Sequence, residues 1–381
     1  MSSFSDLAVP TELIQALAGQ DISAPTDIQI QAAPVLSSNQ DAWLSSPTGS
    51  GKTFAYLLPL LPRIDMESTD LQLVILAPTQ ELAVQIHECL RSLYPNHPAE
   101  APRSQLLIGG ANLQRQKEKL KKKPHIVIGS CGRMLELAQE KKLKLHKCRH
   151  VIIDEADKMM GPDSIERLEK LIDLTDNDRQ MIFASATEKG DAYTRAMSMG
   201  VDVQWLQGQD SRADPIIDHY FIESPHHHKS DALRRLLHAV KPEKAIVFLH
   251  RNETAELVQL KLETKDLNMV LIHGERNKFE REKALRHFRQ GKAKILVSSD
   301  VSARGLDIKG VTHIINLDAP SDSGDYLHRV GRTGRMGASG VAISIMAPNE
   351  KMLISRYEND LGIEIQGAEL KEGQFLIQSD R

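Results

Sequence analysis

Ser46-Pro47-Thr48-Gly49-Ser50-Gly51-Lys52-Thr53 follows directly on the apolar run Ala42-Trp43-Leu44 and directly precedes Phe54-Ala55-Tyr56-Leu57-Leu58. An apolar run, a glycine-rich turn and a helical pattern in that order describe a strand, a loop and a helix, the context in which such a loop holds phosphate. Gly49 and Gly51 let backbone N–H groups turn inward onto phosphate oxygens, and the N-terminus of the following helix adds positive potential. Lys52 supplies a point charge to the β and γ phosphates, Thr53 can place its hydroxyl on Mg²⁺, and Ser46, Thr48 and Ser50 complete the cradle. Ser46 stands where the general GxxxxGK[ST] pattern has its first glycine. A chance Gly/Ser turn would need no partner elsewhere in the chain. This loop has one in Val151-Ile152-Ile153-Asp154-Glu155-Ala156-Asp157, an apolar strand ending in carboxylates. Asp154 suits the Mg²⁺ shell and Glu155 the water that attacks a γ-phosphate. Alone, such an acid pair would read as a solvated turn.

Around these two elements, short β-branched runs alternate with helical stretches: Leu71 to Ala77, Ile126 to Gly129, His150 to Ile153 and Gln180 to Ala184. That alternation predicts a parallel sheet. A second series follows at Lys244 to Leu249, Met269 to Ile272, Lys294 to Val297, His313 to Leu317 and Val341 to Met346. A chain of 381 residues has room for two such cores. The expected fold class is therefore α/β, with two tandem doubly wound parallel-sheet domains. The polar, Pro-containing stretch Gly208 to Pro225 joins the two series. The hinge is placed at 209–215, with domains at 1–208 and 216–381. After Asn349 one helical pattern, Glu350 to Leu361, leads into a polar end.

Composition narrows the classes further. Hydrophobic residues at 41% and charged residues at 26% describe a soluble globular chain. The three cysteines, Cys89, Cys131 and Cys148, lack metal-ligand spacing and are odd in number, against a disulfide framework or a zinc site. With no basic leader and no long apolar segment, a cytoplasmic protein without membrane contact is expected. The net charge of −3 counts weakly against nucleic acid, since a strand can be held by amides, helix N-termini and a few arginines. Lys117 to Lys123 and Lys141 to Lys144 read best as solvated helix faces, and His226-His227-His228 as a loop without metal.

Three further blocks make the pattern specific. Asp154-Glu155-Ala156-Asp157 is followed by Ser185-Ala186-Thr187, then Ala303-Arg304-Gly305-Leu306-Asp307, then His328-Arg329-Val330-Gly331-Arg332-Thr333-Gly334-Arg335. In this order, from Phe4 to about Met346, the chain resembles the DEAD-box RNA helicases of superfamily 2. The resemblance implies RecA-like domains, ATP and Mg²⁺ as cofactors, and RNA as a mostly sequence-independent partner. It also implies local, non-processive strand separation or ribonucleoprotein remodelling by a monomer, with protein partners for targeting.

Residue by residue, the resemblance implies that Phe4, Thr26 and Gln29 read adenine, with Ile22 where the family usually has an aromatic. Apolar contact would then replace stacking on the base. Asp307 would reach the ribose. Pro78, Thr79, Gly109, Gly110, Ser130, Gly132 and Arg133 in the first half, and His273, Gly274 and Ser299 in the second, would contact RNA. Gln80, Cys131, Met134 and Lys278 depart from the usual residues of those motifs. Asp157, Ser185, Ala186, Thr187, Arg304 and His328 would couple ATP state to RNA. Arg332 and Arg335 are the candidate arginine fingers, acting with Lys52, Asp154 and Glu155 in hydrolysis. A non-unwinding, ATP-gated RNA clamp is the competing expectation.

Overall fold

The structure is a computed structural model that describes residues 2–378, apart from 48, 96–98, 163, 187–189, 200–201, 209–216, 251–257, 259–267, 273–277, 300–307, 309 and 335–337. Its contacts divide the chain into unit 1, Met1–Ser211, and unit 2, Arg212–Arg381.

Unit 1 is built on seven strands: β1 (Ala42–Ser45), β2 (Leu73–Leu76), β3 (Ser104–Leu107), β4 (Ile126–Gly129), β5 (His150–Asp154), β6 (Gln180–Ser185) and β7 (Gln204–Gln207). They pair in the order β3-β4-β2-β5-β6-β1-β7, every pair parallel. The five inner strands are buried along their whole length, as strands covered on both faces must be. Successive residues go to opposite faces. Ile75, Ile128, Ile152 and Ile182 enter one core with α1 (Thr11–Ala18), α2 (Asp27–Ser37), α3 (Lys52–Leu60) and α4 (Gln80–Ser92). Val74, Val127, Val151 and Phe183 enter the other with α6 (Cys131–Gln139), α7 (Ala156–Met159), α8 (Ile165–Ile172) and α9 (Asp191–Ser198). The remaining helix, α5 (Leu113–Leu120), connects β3 to β4.

Unit 2 repeats the plan with β8 (Ile217–Glu223), β9 (Ala245–Leu249), β10 (Met269–Ile272), β11 (Ile295–Ser299), β12 (His313–Asn316), β13 (Gly340–Met346), β14 (Gln366–Lys371) and β15 (Gln374–Ile377). The order is β10-β11-β9-β12-β13-β8-β14-β15, parallel except for the β14–β15 hairpin. Its described helices are α10 (Lys229–Val240), α11 (Lys278–Arg289), α12 (Ser323–Val330) and α13 (Met352–Leu361).

Three expectations need correction. The stretch Gly208 to Pro225 is not all connection, because β8 occupies its second half and pairs with both β13 and β14. Only Phe221 and Ile222 of that strand are buried, so its sequence lacks a continuous apolar run. The polar end after α13 is the β14–β15 hairpin, also masked by mixed polarity. The lysines of 121–123 and 141–144 lie beyond the ends of α5 and α6 rather than on helix faces. The expected hinge, 209–215, falls outside the described residues. His226–His228 forms a single 3-10 turn, and no potential metal-binding group of His, Cys, Asp or Glu occurs among the described residues. No described helix is long and apolar enough to cross a membrane.

Each unit carries a histidine in its sheet, buried at His150 and half-buried at His219. His150 on β5 meets Gln180 at 3.0 Å, and His219 on β8 meets the Tyr326 hydroxyl at 2.8 Å. Burial holds each imidazole down to about 4. With folded values below the unfolded one of about 6.5, each histidine leaves stability intact above that pH and removes it as pH falls toward 4. Both tryptophans, Trp43 and Trp205, sit stacked in unit 1, so intrinsic fluorescence follows that unit. Denaturant unfolding by fluorescence is expected to show acid destabilisation between pH 6.5 and 4 that His150→Gln reduces by up to about 3 kcal/mol.

Candidate active site

Parallel strands send all their following loops to one edge of the sheet, and that edge carries the motifs of unit 1. The phosphate loop leaves β1, Thr79 follows β2, Gly109 follows β3, Ser130 follows β4, and the acids end β5. Ser45 and Ser185 are paired in register on β1 and β6, and the Ser46 amide donates to the Ser185 carbonyl at 3.1 Å. The Ser185 hydroxyl in turn donates to Asp157 Oδ1 at 2.9 Å. The phosphate loop, the Ser185-Ala186 turn and the acid motif are thus one hydrogen-bonded assembly. Thr187 and Thr48 lie outside the described residues.

In the loop, Gly49 and Gly51 both hold φ near +90°. Nothing lies within 4 Å of a Cβ built on Gly49, whereas one on Gly51 would meet Gln29 Nε2 at 2.5 Å. The left-handed φ already strains any L side chain at Gly51, and Gln29 fills the same space. Its Oε1 accepts from the Thr26 amide at 3.0 Å, and its Nε2 donates to the Gly51 carbonyl at 3.1 Å. One donor and one lone pair of the amide remain for a base edge. Phe4 is buried in the core that includes Leu17 and Ile28, and Ile22 packs against that core. The Lys52 ammonium donates to the carbonyls of Ser46 and Pro47, the second at 2.8 Å, which holds the cation inside the loop.

Asp154 is buried at the end of β5. Its Oδ2 accepts from the Tyr56 hydroxyl at 2.8 Å and its Oδ1 from the Glu155 amide at 2.9 Å. Burial raises the carboxyl above its ordinary range despite the opposing pull of Tyr56 and Lys52. Burial, then Asp154, pushes the Tyr56 phenol well up, against a smaller opposing pull from the Thr53 side chain. Glu155 takes a left-handed backbone, φ 48° and ψ 53°, as the chain turns from β5 into α7. Such strain in a non-glycine residue concentrates at working sites. Among the described residues Glu155 Oε2, Ser50 Oγ and Thr26 Oγ1 are buried with no hydrogen-bond partner. Three unsatisfied polar atoms, an open Gly49 and a buried aspartate at the end of β5 fit a nucleotide with its Mg²⁺.

Sequence reasoning missed Tyr56. Its signal was present, since the fourth residue after Lys52 shares that residue's face of α3, yet an aromatic there reads as core.

Of the other expected contacts in unit 1, Thr79 caps α4 by accepting from the Leu82 amide at 3.2 Å, and Gly110 takes a positive φ of 66°. Gln80 lies over the Gly109-Gly110 turn, 3.4 Å from a Cβ placed on Gly109. Arg133 is drawn inward, donating to the Ala111 carbonyl at 3.2 Å and pairing with Glu136 at 2.9 Å. Ser130 precedes α6, Gly132 in its first turn is exposed, and Pro78 is half-buried. Cys131 turns into the core, where its thiol donates to the Arg167 carbonyl and burial pushes it up to about 11.

In unit 2, Ser299 ends β11 and is buried. Arg329 is fixed by Asn316 Oδ1 at 3.0 Å and the Asp318 carbonyl at 2.6 Å, with its guanidinium over Phe248. His328 is buried on α12, and Arg332 Nε donates to its carbonyl at 3.2 Å, which fixes the stem of that arginine. His273, Gly274, Arg304, Asp307 and Arg335 lie outside the described residues, as do the side chains of 278 and 279.

Tyr56→Phe keeps the ring and removes one hydrogen bond from a buried carboxylate. It is expected to lower the stability of unit 1 by about 1–3 kcal/mol, read by fluorescence-detected unfolding.

Comparison with known proteins agrees with this geometry. The DEAD/DEAH box helicase model matches residues 26–195, and the helicase conserved C-terminal domain matches residues 228–337. The chain is 38% identical over 351 residues to the DEAD-box ATP-dependent RNA helicase CshC of Bacillus cereus, covering 92% of this chain and 89% of that one. It is 35% identical to the probable ATP-dependent RNA helicase YfmL of Bacillus subtilis, covering 92% of each. Among solved structures, S. cerevisiae Dbp5 bound to RNA and ADP BeF3 superposes with a TM-score of 0.86 at 28% identity, over 96% of this chain and 95% of that one. At 38% identity across almost the whole of CshC, and with both helicase models matched in order, the chain belongs to the DEAD-box family of ATP-dependent RNA helicases.

Proposed function

We propose that this chain is an RNA-dependent ATPase that couples ATP binding and hydrolysis to RNA binding and to local, non-processive strand separation or ribonucleoprotein remodelling. The observation that carries the reading is the chain of contacts from the phosphate loop through Ser185 to Asp157, because it ties the nucleotide loop to the acid motif and to the turn after β6. A change at the phosphates is then felt at Ser185, the coupling that an ATP-gated RNA grip needs.

In this reading the loop amides, Ser46, Thr48, Ser50 and Lys52 hold the phosphates, and Gln29 and Thr26 meet the base. Thr53 and Asp154 would hold Mg²⁺, which would supply positive charge against the phosphates. Glu155, with an oxygen that no described residue engages, orients the attacking water and takes its proton. Arg332 and Arg335 neutralise charge that builds on the transferred phosphoryl, while Asp307 meets the ribose. Pro78, Thr79, Gly109, Gly110, Ser130, Gly132, Arg133, His273, Gly274 and Ser299 hold the sugar–phosphate backbone. Arg304 and His328 join Asp157 and Ser185 to Thr187 in coupling. Such contacts carry no sequence information, so RNA choice falls to protein partners of a cytoplasmic monomer.

The test is ATP hydrolysis with and without single-stranded RNA, followed by displacement of a short labelled strand. RNA stimulation with displacement is expected; stimulation without displacement would favour an ATP-gated clamp. Lys52→Ala is expected to lose nucleotide binding, and Glu155→Gln to bind nucleotide while turnover stops. Arg332→Ala should lower turnover by about 10³–10⁵ with affinity for nucleotide little changed, and a near wild-type rate would remove its assigned role.

A further inference from the structure

We propose that the connections after α5 and α6 form a second, phosphate-tracking surface that engages RNA extending past the glycine and helix-start loops of unit 1. This inference rests on the RNA-binding reading above and adds to it a place and a length dependence.

Residues 117–149 carry eleven Lys and Arg against three Glu, a local charge of +8 in a chain of −3, so the remaining residues sum to −11. The lysines within 119–123 and 141–147 are all exposed. The leucines interleaved with them, Leu120, Leu143 and Leu145, enter one buried core together with Leu137. Lys117 Nζ lies 2.5 Å from Glu140 Oε2, which joins the end of α5 to the end of α6. Both lysine segments therefore emerge on the same side of the unit.

A structural explanation covers only part of this charge. Cations in the last turn of a helix are stabilised by its dipole, which accounts for Lys117 and Lys119 on α5. The last turn of α6 has no basic residue, and the lysines of 121–123 and 141–147 lie past the helix ends. The nearby carboxylate Glu140 is already taken by Lys117. Like charges so gathered destabilise the free protein, and a polyanion relieves that repulsion.

Position favours RNA as the polyanion. Residue 123 stands just before β4 and residue 147 just before β5, at the edge of the sheet opposite the Gly109, Gly110 and Ser130 loops. Helices of 8 and 9 residues separate the two edges by about 12–14 Å at 1.5 Å per residue. About four stacked nucleotides span that distance. β3 is the outermost strand on this side, so no further strand bars the way. None of the exposed large hydrophobic side chains lies within 117–149, so the surface lacks both the apolar side chains that enter a membrane and the apolar centre of a protein interface.

The experiment measures affinity of the full chain, with a non-hydrolysable ATP analogue, for single-stranded RNAs of about 10 and about 30 nucleotides across a salt series. Lys121, Lys122, Lys142 and Lys144 are changed together to Gln. Binding of the short strand is expected to stay within about twofold, while the long strand loses its advantage and its salt slope falls by about 2–3. A control with Lys241, Lys292, Lys294 and Lys371 changed to Gln removes equal charge from unit 2 and is expected to keep the long-strand advantage. Equal loss on both lengths, equal loss in the control, or no loss at all would overturn the proposal. So would phosphatidylserine vesicle binding that the four substitutions abolish while RNA binding stays intact. Wild-type protein that binds neither strand would instead sink the helicase reading on which the proposal rests.

Discussion

Parallel pairing of β1 with β6, and of β6 with β5, is the constraint on which the active site of unit 1 depends. The register sets Ser45 opposite Ser185 and Asp154 opposite Ala184. Three stretches far apart in sequence therefore end at the same level. A slip of one residue would invert the faces of β6 and remove Phe183 from its core. The cores on the two sides of the sheet are what forbid that slip, since Ile152 and Ile182 fill one while Val151 and Phe183 fill the other. Packing chemistry with no catalytic content thus holds the catalytic loops in line.

Within that frame the site is organised around polar atoms that the protein leaves unsatisfied or bends to its own use. Gln29 ties the start of α2 to the phosphate loop through the Gly51 carbonyl. Burial raises the Asp154 carboxyl above its ordinary range, and Tyr56, Lys52 and the Glu155 amide oppose that rise. The left-handed turn at Glu155 stores strain where β5 hands over to α7. Each of these is a local expense that the surrounding sheet sustains.

Much of this was legible in the residues. Continuous apolar runs such as 126–129 and 245–249 read directly as buried strands, because both faces of a central strand are covered and no polar residue interrupts them. The phosphate loop and the acid motif were legible because glycine, lysine and paired acids at the end of a strand have few other uses. What escaped was of two kinds. β3, β7, β8, β14 and β15 are short or mixed in polarity, since outer or half-covered strands need no continuous apolar face. Tyr56 escaped because a hydrogen bond from α3 to the end of β5 exists only once the sheet has brought them together.

Cys131 begins α6, between the proposed RNA contacts Ser130 and Gly132, but its sulfur points into the core and its proton is held there, as is that of Cys148, pushed up to about 12. At neutral pH hardly any thiolate exists at either position, and peroxides and alkylating agents react with thiolate. Oxidants and alkylating agents therefore pass over the start of α6, which stays chemically silent.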